Sequence, residues 1–489
     1  MTIQTDFYQV SGFRAHSNGW FKQYDDKPMI RALASERSKD FRPGGSDAPL
    51  ELVLGILPSG ASYVLLSTEQ MHSFTQKHRL SIPRRPWRSS DFLSLSPVYF
   101  RTEAELSSKL ATYKQRPRNK NRRETEEPKD NSQANRGYVA GPISVHYRAY
   151  VEQQRMLYHL LAKLIMPEKF ALSPPTWLAG VRVISIVFVQ WSVDKRRRDE
   201  RLQNPNLIEV GITDAHFPSF FDTLTGTTLH LKLKQAAKNP HSKLPNHSKV
   251  EEITKPELPQ RLRTLFNHDA QKSGMPLIVL CHDEEMTRSI LGRAGIDIDS
   301  FESGLSGLLP LNPTGDKMQR HSRSCSPQRG PGSAYRQDYS RPTESQDRGV
   351  QSSLRHGALR HPTAYVVDIQ KMFYALMESK SPETPPETAK LLRIQTDTRT
   401  CGGDDSILQL RMWKSMAEGA AIDEQRSHRA ESEAPCAELL PGPAPKQEAR
   451  SDNDDDEDPN DLGECDPNDL ESAPPTLARA IDDFSDDDW

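Results

Sequence analysis

The chain has 489 residues, of which only 35% are hydrophobic while 37 are proline, and its mean hydropathy is −0.72. This is enough for two or three domains joined by polar segments, and with no apolar run near roughly 18 residues it argues against a helical membrane span. The net charge of −3 conceals an asymmetry, because residues 451–489 hold sixteen Asp or Glu against one Arg, leaving about +12 on the body before them.

The start, MTIQTDFYQVSG, lacks the apolar core of a secretory signal. The cysteines Cys281, Cys325, Cys401, Cys436 and Cys465 show neither CxxC nor Cys/His spacing. Together these predict an intracellular protein, cytoplasmic or nuclear, and weigh against a structural zinc site.

Residues 6–112 read as a small, partly β module. Its clearest element is a hairpin, LELVLGIL (50–57) turning through PSGA into SYVLLS (62–67), with Pro58 and Gly60 supplying the turn. Trp20, Phe21, Trp87 and Phe100 are expected in its core. Residues 113–138 read as a disordered charged linker, basic at RPRNKNRR and acidic after it, the basic part being a candidate localisation signal or phosphate-binding patch.

Residues 139–420 carry the main pattern. SVHYRAYVEQQRMLYHLLAKLIM has Tyr147, Tyr150, Val151, Gln154, Leu157, Tyr158, Leu161, Leu164 and Ile165 at helical spacing, is stopped by Pro167, and is expected to pack against the strand that follows. That strand, VISIVFVQWSV (183–193), and LIEVGITDA flank a basic turn, DKRRRDERLQNPN, and read as a hairpin. A loosely patterned TTLHLKLKQ leads to a helix, LPQRLRTLFNHDAQKSG. Then come the apolar run PLIVLCHD, the helix EEMTRSILGRAGI, AYVVDIQKMFYAL, and the helix DDSILQLRMWKSMAEGA. Strands alternating with helices predict an α/β architecture with a largely buried sheet. Residues 312–361, rich in Ser, Arg and Pro, read as a disordered insertion, and residues 421–489 as a disordered acidic tail with the near-repeat DPNDLGE and DPNDLES.

Four pieces in this order, VISIVFVQWS with LIEVGITDA, PLIVLCHDEEMTRSILGRAGID, VVDIQKMF and TCGGDDSILQL, resemble the ribonuclease-H-like 3′–5′ exonuclease superfamily (DEDD), and more closely a fungal branch of it, the Gfd-type C-terminal domain. The resemblance covers roughly residues 180–420 and implies a ribonuclease-H-like mixed sheet flanked by helices. Members use four carboxylates and usually a histidine, because two divalent ions such as Mg²⁺ or Mn²⁺ need hard oxygen ligands to activate water and stabilise the leaving oxygen.

Carried over residue by residue, the catalytic set is degenerate. The first-strand acids fall on Val187 and Val189, or in a shifted register on Gln190 and Ser192, and Asp194 lies just beyond in the basic turn. The third acid falls on Thr287, with His282 and Asp283 nearby; the family histidine falls on Thr400; only Asp405, or less well Asp404, supplies the fourth acid. Asp405 is thus the metal ligand if there is one, or else a first-turn helix acid favoured by the dipole. His282 and Asp283 otherwise make local hydrogen bonds at a strand end. Glu209 is expected to orient backbone or a basic partner, and Cys281 to be a buried small residue. Lys195, Arg196, Arg197, Arg198 and Arg201 are candidate phosphate contacts, or else a solvated loop tip.

These residues lead to a catalytically inactive pseudoenzyme, without cofactor, that binds or scaffolds RNA or an RNA-associated protein, with no membrane or small-molecule partner. The alternatives are an active Mg²⁺- or Mn²⁺-dependent exonuclease rebuilt on Asp194, Asp283 and Asp405, and a protein–protein adaptor without a nucleic-acid role.

Overall fold

The computed structural model describes residues 6–10, 27–82, 86–114, 132–135, 144–172, 175–191, 194–217, 224–232, 247–267, 275–311, 364–379, 382, 384–396 and 401–433. The insertion at 312–361, most of the charged linker, Trp20, Phe21 and the chain beyond Glu433 lie outside them. All described residues fall within one packing unit, residues 1–433.

The N-terminal part is a five-stranded antiparallel sheet in the order β4-β1-β3-β2-β5, built from β1 (Asp6–Gln9), β2 (Leu50–Ile56), β3 (Ser62–Ser67), β4 (Trp87–Arg88) and β5 (Ser94–Phe100). The predicted hairpin is β2 and β3, turning at Gly60, whose φ of 78° favours glycine. Helices α1 (Lys27–Ala34), α2 (Thr68–His78) and α3 (Glu103–Thr112) belong to the same part. Ser67 starts α2 through a capping box with Gln70. Trp87 is half-buried and Phe100 is buried.

α4 (Ser144–Leu161) joins the two parts, and it ends a turn and a half before Pro167. Its closest neighbours are β5 and two later helices, α8 (Ile369–Met377) and α10 (Gly402–Ala417), rather than the strand that follows it. It is buried on both sides. Leu157 and Tyr158 join the apolar core, while Arg148, Glu152 and Arg155 are equally buried on its other face. One core cluster runs from Phe7, Val53 and Leu65 of the first sheet through α4 to Val181, Val183 and Trp413.

The second sheet has seven strands, in the order β11-β12-β10-β6-β7-β8-β9. These are β6 (Val181–Gln190), β7 (Leu207–Phe217), β8 (Gly226–Leu231), β9 (Ser248–Ile253), β10 (Leu277–Cys281), β11 (Phe301–Ser303) and β12 (Ala364–Asp368). β6, β10, β12 and β11 run parallel, β7 is antiparallel to β6 and β8, and β9 is parallel to β8. Around the sheet lie α5 (Arg198–Gln203), α6 (Leu258–Asn267), α7 (Glu284–Arg293), α9 (Pro385–Leu391) and α11 (Ile422–Glu433), with α8 and α10. The protein is therefore an α/β fold with a mixed sheet flanked by helices and an N-terminal antiparallel sheet, and its central hairpin is β6 and β7. Among the described residues no helix is long and apolar enough to cross a membrane.

Three expectations change. Both described ends of the 113–138 linker are ordered: Tyr113 is buried against Ser62, and Ser132–Asn135 return to the same place, where the Asn135 side chain accepts from Ser62 N at 2.9 Å. The region from 421 onward begins as α11 instead of a disordered tail, held by charge and not by an apolar stripe. The basic turn after β6 contains α5, which packs on α7.

Candidate functional site

Side chains alternate across a strand, so Ser185, Val187 and Val189 of β6 share the face on which α10 sits. The Ser185 hydroxyl donates to the Ser406 carbonyl at 2.7 Å, and Thr213 of β7 meets the Ser406 hydroxyl at 2.7 Å. Val187 stands opposite Gly211 and Val189 opposite Glu209. The first turn of α10 covers this row at backbone distance. A Cβ on Gly211 would lie 1.7 Å from the Gly402 carbonyl oxygen, and one on Gly402 would lie 3.4 Å from Val189 Cγ2.

Glu209 is buried and accepts from Gly402 N at 3.0 Å, with His230 Nδ1 at 3.3 Å from its other oxygen. Gly403 N donates to Thr228 at 2.9 Å, and Cys401 Sγ lies 2.9 Å from Ser248 Oγ. Asp404 accepts from His247 N at 3.0 Å, and Asp405 is buried in the same first turn. Val187, Val189 and Asp405 are thus brought to one seam, closed by glycine packing and hydroxyl hydrogen bonds. Thr287 is not: it is buried in α7 against Cys281, within the apolar cluster on the opposite face of the sheet. Thr400 lies outside the described residues. Among the described residues no group of three or more His, Cys, Asp or Glu is arranged to hold a metal ion.

The other polar cluster lies at the carboxyl ends of β10 and β12, where open α/β sheets usually place their ligand sites. Asp283 caps α7 by accepting from Met286 N at 3.0 Å, and it pairs with Arg198 at 3.0 Å. His282 is buried and neutral. Gln370 Nε2 donates to its Nδ1 at 3.2 Å, which leaves its Nε2–H for the Thr388 hydroxyl at 3.0 Å, and burial holds the ring down to about 4.

Sequence reasoning passed over Asp368 and Glu284. Asp368 ends β12 and caps α8, accepting from Lys371 N and Glu284 N, both at 3.1 Å, while its own N–H donates to the Tyr150 hydroxyl at 2.7 Å. Glu284 is buried among Lys371 (2.7 Å), Arg288 (2.8 Å) and Ser303 (2.9 Å). Despite burial, Lys371 and Arg288 hold its carboxyl below the usual range. The available signal for Asp368 was an acid between an apolar strand and a helical pattern, VVD-IQK. These carboxylates are committed to helix starts and ion pairs.

Burial pushes the Asp368 carboxyl up from 3.8 to about 7. A raised acid stabilises the fold most below its unfolded value and loses that contribution as pH rises through 7. Asp368→Asn mimics the protonated form, so its stability relative to wild type should rise between pH 4 and 8, by up to about 4 kcal/mol. Chemical denaturation at pH 4.5 and 8 reads this out, and an unchanged difference between the two proteins would overturn it.

The basic loop is partly neutralised. Arg196 grips Asp194, which also accepts from Asn206 at 3.1 Å, and these hydrogen bonds hold the Asp194 carboxyl down to about 2. Arg198 is drawn to Asp283 and to Glu285 at 3.1 Å, and Ser289 of α7 donates to the Leu202 carbonyl at 2.6 Å. Lys195 and Arg197 are exposed with no ion pair to any described residue, and Arg201 is half-buried. Asp194 and Asp283 therefore serve the loop and the start of α7. No known protein-family model matches the chain, and no curated protein matches it.

Proposed function

We propose that residues 180–420 form a catalytically inactive ribonuclease-H-like domain that binds or scaffolds nucleic acid, with RNA as the favoured class. The observation that carries this reading is the strand arrangement. Three consecutive antiparallel strands, β6, β7 and β8, are extended on the other side of β6 by the parallel β10 and β12, with the last long helix laid over the start strand. A mixed sheet flanked by helices is what the resemblance implies, and Val187 and Val189, the positions it assigns to the first-strand acids, lie by a glycine-rich helix start. Lys195 and Arg197, exposed and without an ion pair to any described residue, are the cations this reading assigns to phosphate contacts, which position a nucleic acid without reading its sequence.

The test uses labelled single-stranded RNA and DNA in a mobility shift at about 50 mM salt, where a few phosphate contacts register. Wild-type protein should shift RNA, and Lys195→Glu with Arg197→Glu should weaken the shift at least about tenfold, with a shallower salt dependence. Incubation with Mg²⁺ or Mn²⁺ should leave the strand intact. Shortening that is lost in Asp405→Ala would restore the exonuclease reading. No shift at any protein concentration would leave the adaptor reading.

A further inference from the structure

We infer that β9 is a self-pairing edge through which two copies of this chain associate. Among the described residues no strand pairs with the outer edge of β9, which ends the seven-stranded sheet. An open edge of six residues offers a row of backbone donors and acceptors, and native edges are often blunted by charged side chains or proline. β9 reads SKVEEI; four consecutive residues, Lys249 to Glu252, are exposed, and Val250 is 48% exposed.

The order of these residues is self-complementary. In a two-fold antiparallel pairing centred on Val250, Val250 meets Val250 of the partner subunit. Lys249 then meets Glu251 of the partner subunit, and by symmetry Glu251 meets Lys249 of the partner subunit. Directly opposed residues share a face of the sheet, so each Lys–Glu pair lies side by side, the arrangement that favours opposite charges and penalises like ones. Shifting the pairing by one residue sets Val250 against Glu251 or Lys249 and is incompatible with a two-fold axis, because directly opposed residues share a face while neighbours along the strand alternate. A shift by two residues centres the pairing on Glu251 or on Lys249 and opposes that charge to its own copy.

The existing partners leave room for this pairing. Glu251 pairs with Arg261 and Glu252 with Lys232 at the surface, and each carboxylate keeps further acceptor capacity. On the inner side β9 is fixed. It is parallel to β8, Ile253 is buried in the core, and Ser248 is held by Cys401 and Thr228. Among the described residues the edge is therefore presented without rearrangement. Six residues per copy bury less than a standard stable interface, so the association is weak and concentration-dependent, in the micromolar range or above.

Sedimentation velocity on the full-length protein at physiological salt, over about 5–200 µM, tests it. Wild type should move from monomer toward dimer across that range. Glu251→Lys alone opposes two lysines and should weaken dimerisation at least tenfold, and Lys249→Glu alone should do the same with two glutamates. The double swap Lys249→Glu with Glu251→Lys restores opposite pairs and should return dimerisation to near the wild-type level. All of these positions are exposed, so the variants should fold, which circular dichroism would verify. A monomeric wild type throughout, or a dimer equally strong in wild type and both single variants, would overturn the proposal, as would a double swap no better than the single variants.

Discussion

Replacing Asp423 with alanine should destabilise the protein by about 3–5 kcal/mol, because it leaves buried cations without their counter-charge. Asp423 lies at the start of α11, pairs with Lys109 of α3 at 2.9 Å and is hydrogen-bonded to Arg148 of α4. Arg148 is fully buried and Lys109 nearly so. Lys109 keeps Glu424 at 2.7 Å, so the loss falls chiefly on Arg148. The same helix start is capped from α4, where Glu152 accepts from Ile422 N at 2.8 Å and from Ser96 at 2.5 Å while paired with Arg155. One network thus ties the first sheet, α4 and α11 together.

Burial alone would raise the Asp423 carboxyl, but Arg148 and Lys109 hold it down to about 2. A depressed acid contributes stability above its unfolded value near 3.8 and loses it as pH falls toward 2. The stability gap between wild type and Asp423→Ala should therefore be full at pH 6 and narrow below pH 4. Urea denaturation at pH 6, 4 and 3 measures it; a gap under 1 kcal/mol at pH 6, or one that does not narrow, would refute the network's role.

How much of this was legible follows from where the free energy comes from. The β6–β7 hairpin, β10, β12 and α10 were visible because each carries either a bounded apolar run, as β10 and β12 do, or an apolar set recognisable for its element. α11 was not: IDEQRSHRAESE has no apolar stripe, and its described part is seated by Asp423, by a cap from Glu152 and by Gln425, whose amide donates to the Met416 and Ala420 carbonyls. Such partners are distant in the chain and leave no periodic signal. β9 was missed for a related reason, since an edge strand with one buried apolar residue reads as a charged loop. Tyr113 and Asn135 were assigned to a disordered linker on composition, yet both pack at Ser62. For the seam, CGGDD drew attention to its acids, whereas its structural content lies in its glycines, whose meaning depends on a strand nearly two hundred residues earlier.

That seam gives the second large effect. Gly211→Ala should destabilise the fold by about 3 kcal/mol or more, since the added methyl would fall on the Gly402 carbonyl oxygen at 1.7 Å with the Gly402 carbonyl carbon at 2.1 Å. Both are backbone atoms, at a helix start fixed by Glu209 and Thr228, so neither side can yield by a rotamer change. Relief requires lifting the first turn of α10 off the sheet, which would also break the Ser185 and Thr213 hydrogen bonds to Ser406. The control is Ile212→Ala, the next residue of β7, which points to the other face and is half-buried. Thermal denaturation should show a far larger loss for Gly211→Ala than for Ile212→Ala. The same closeness bears on catalysis. Placing acids back as Val187→Asp with Val189→Glu would put carboxylates under a packed helix start, with burial unfavourable to the charge. Such a variant should be less stable than wild type and should gain no Mg²⁺-dependent cleavage of RNA. If Gly211→Ala were as stable as wild type, the helix start would be free to lift, and the seam could open far enough to admit an ion.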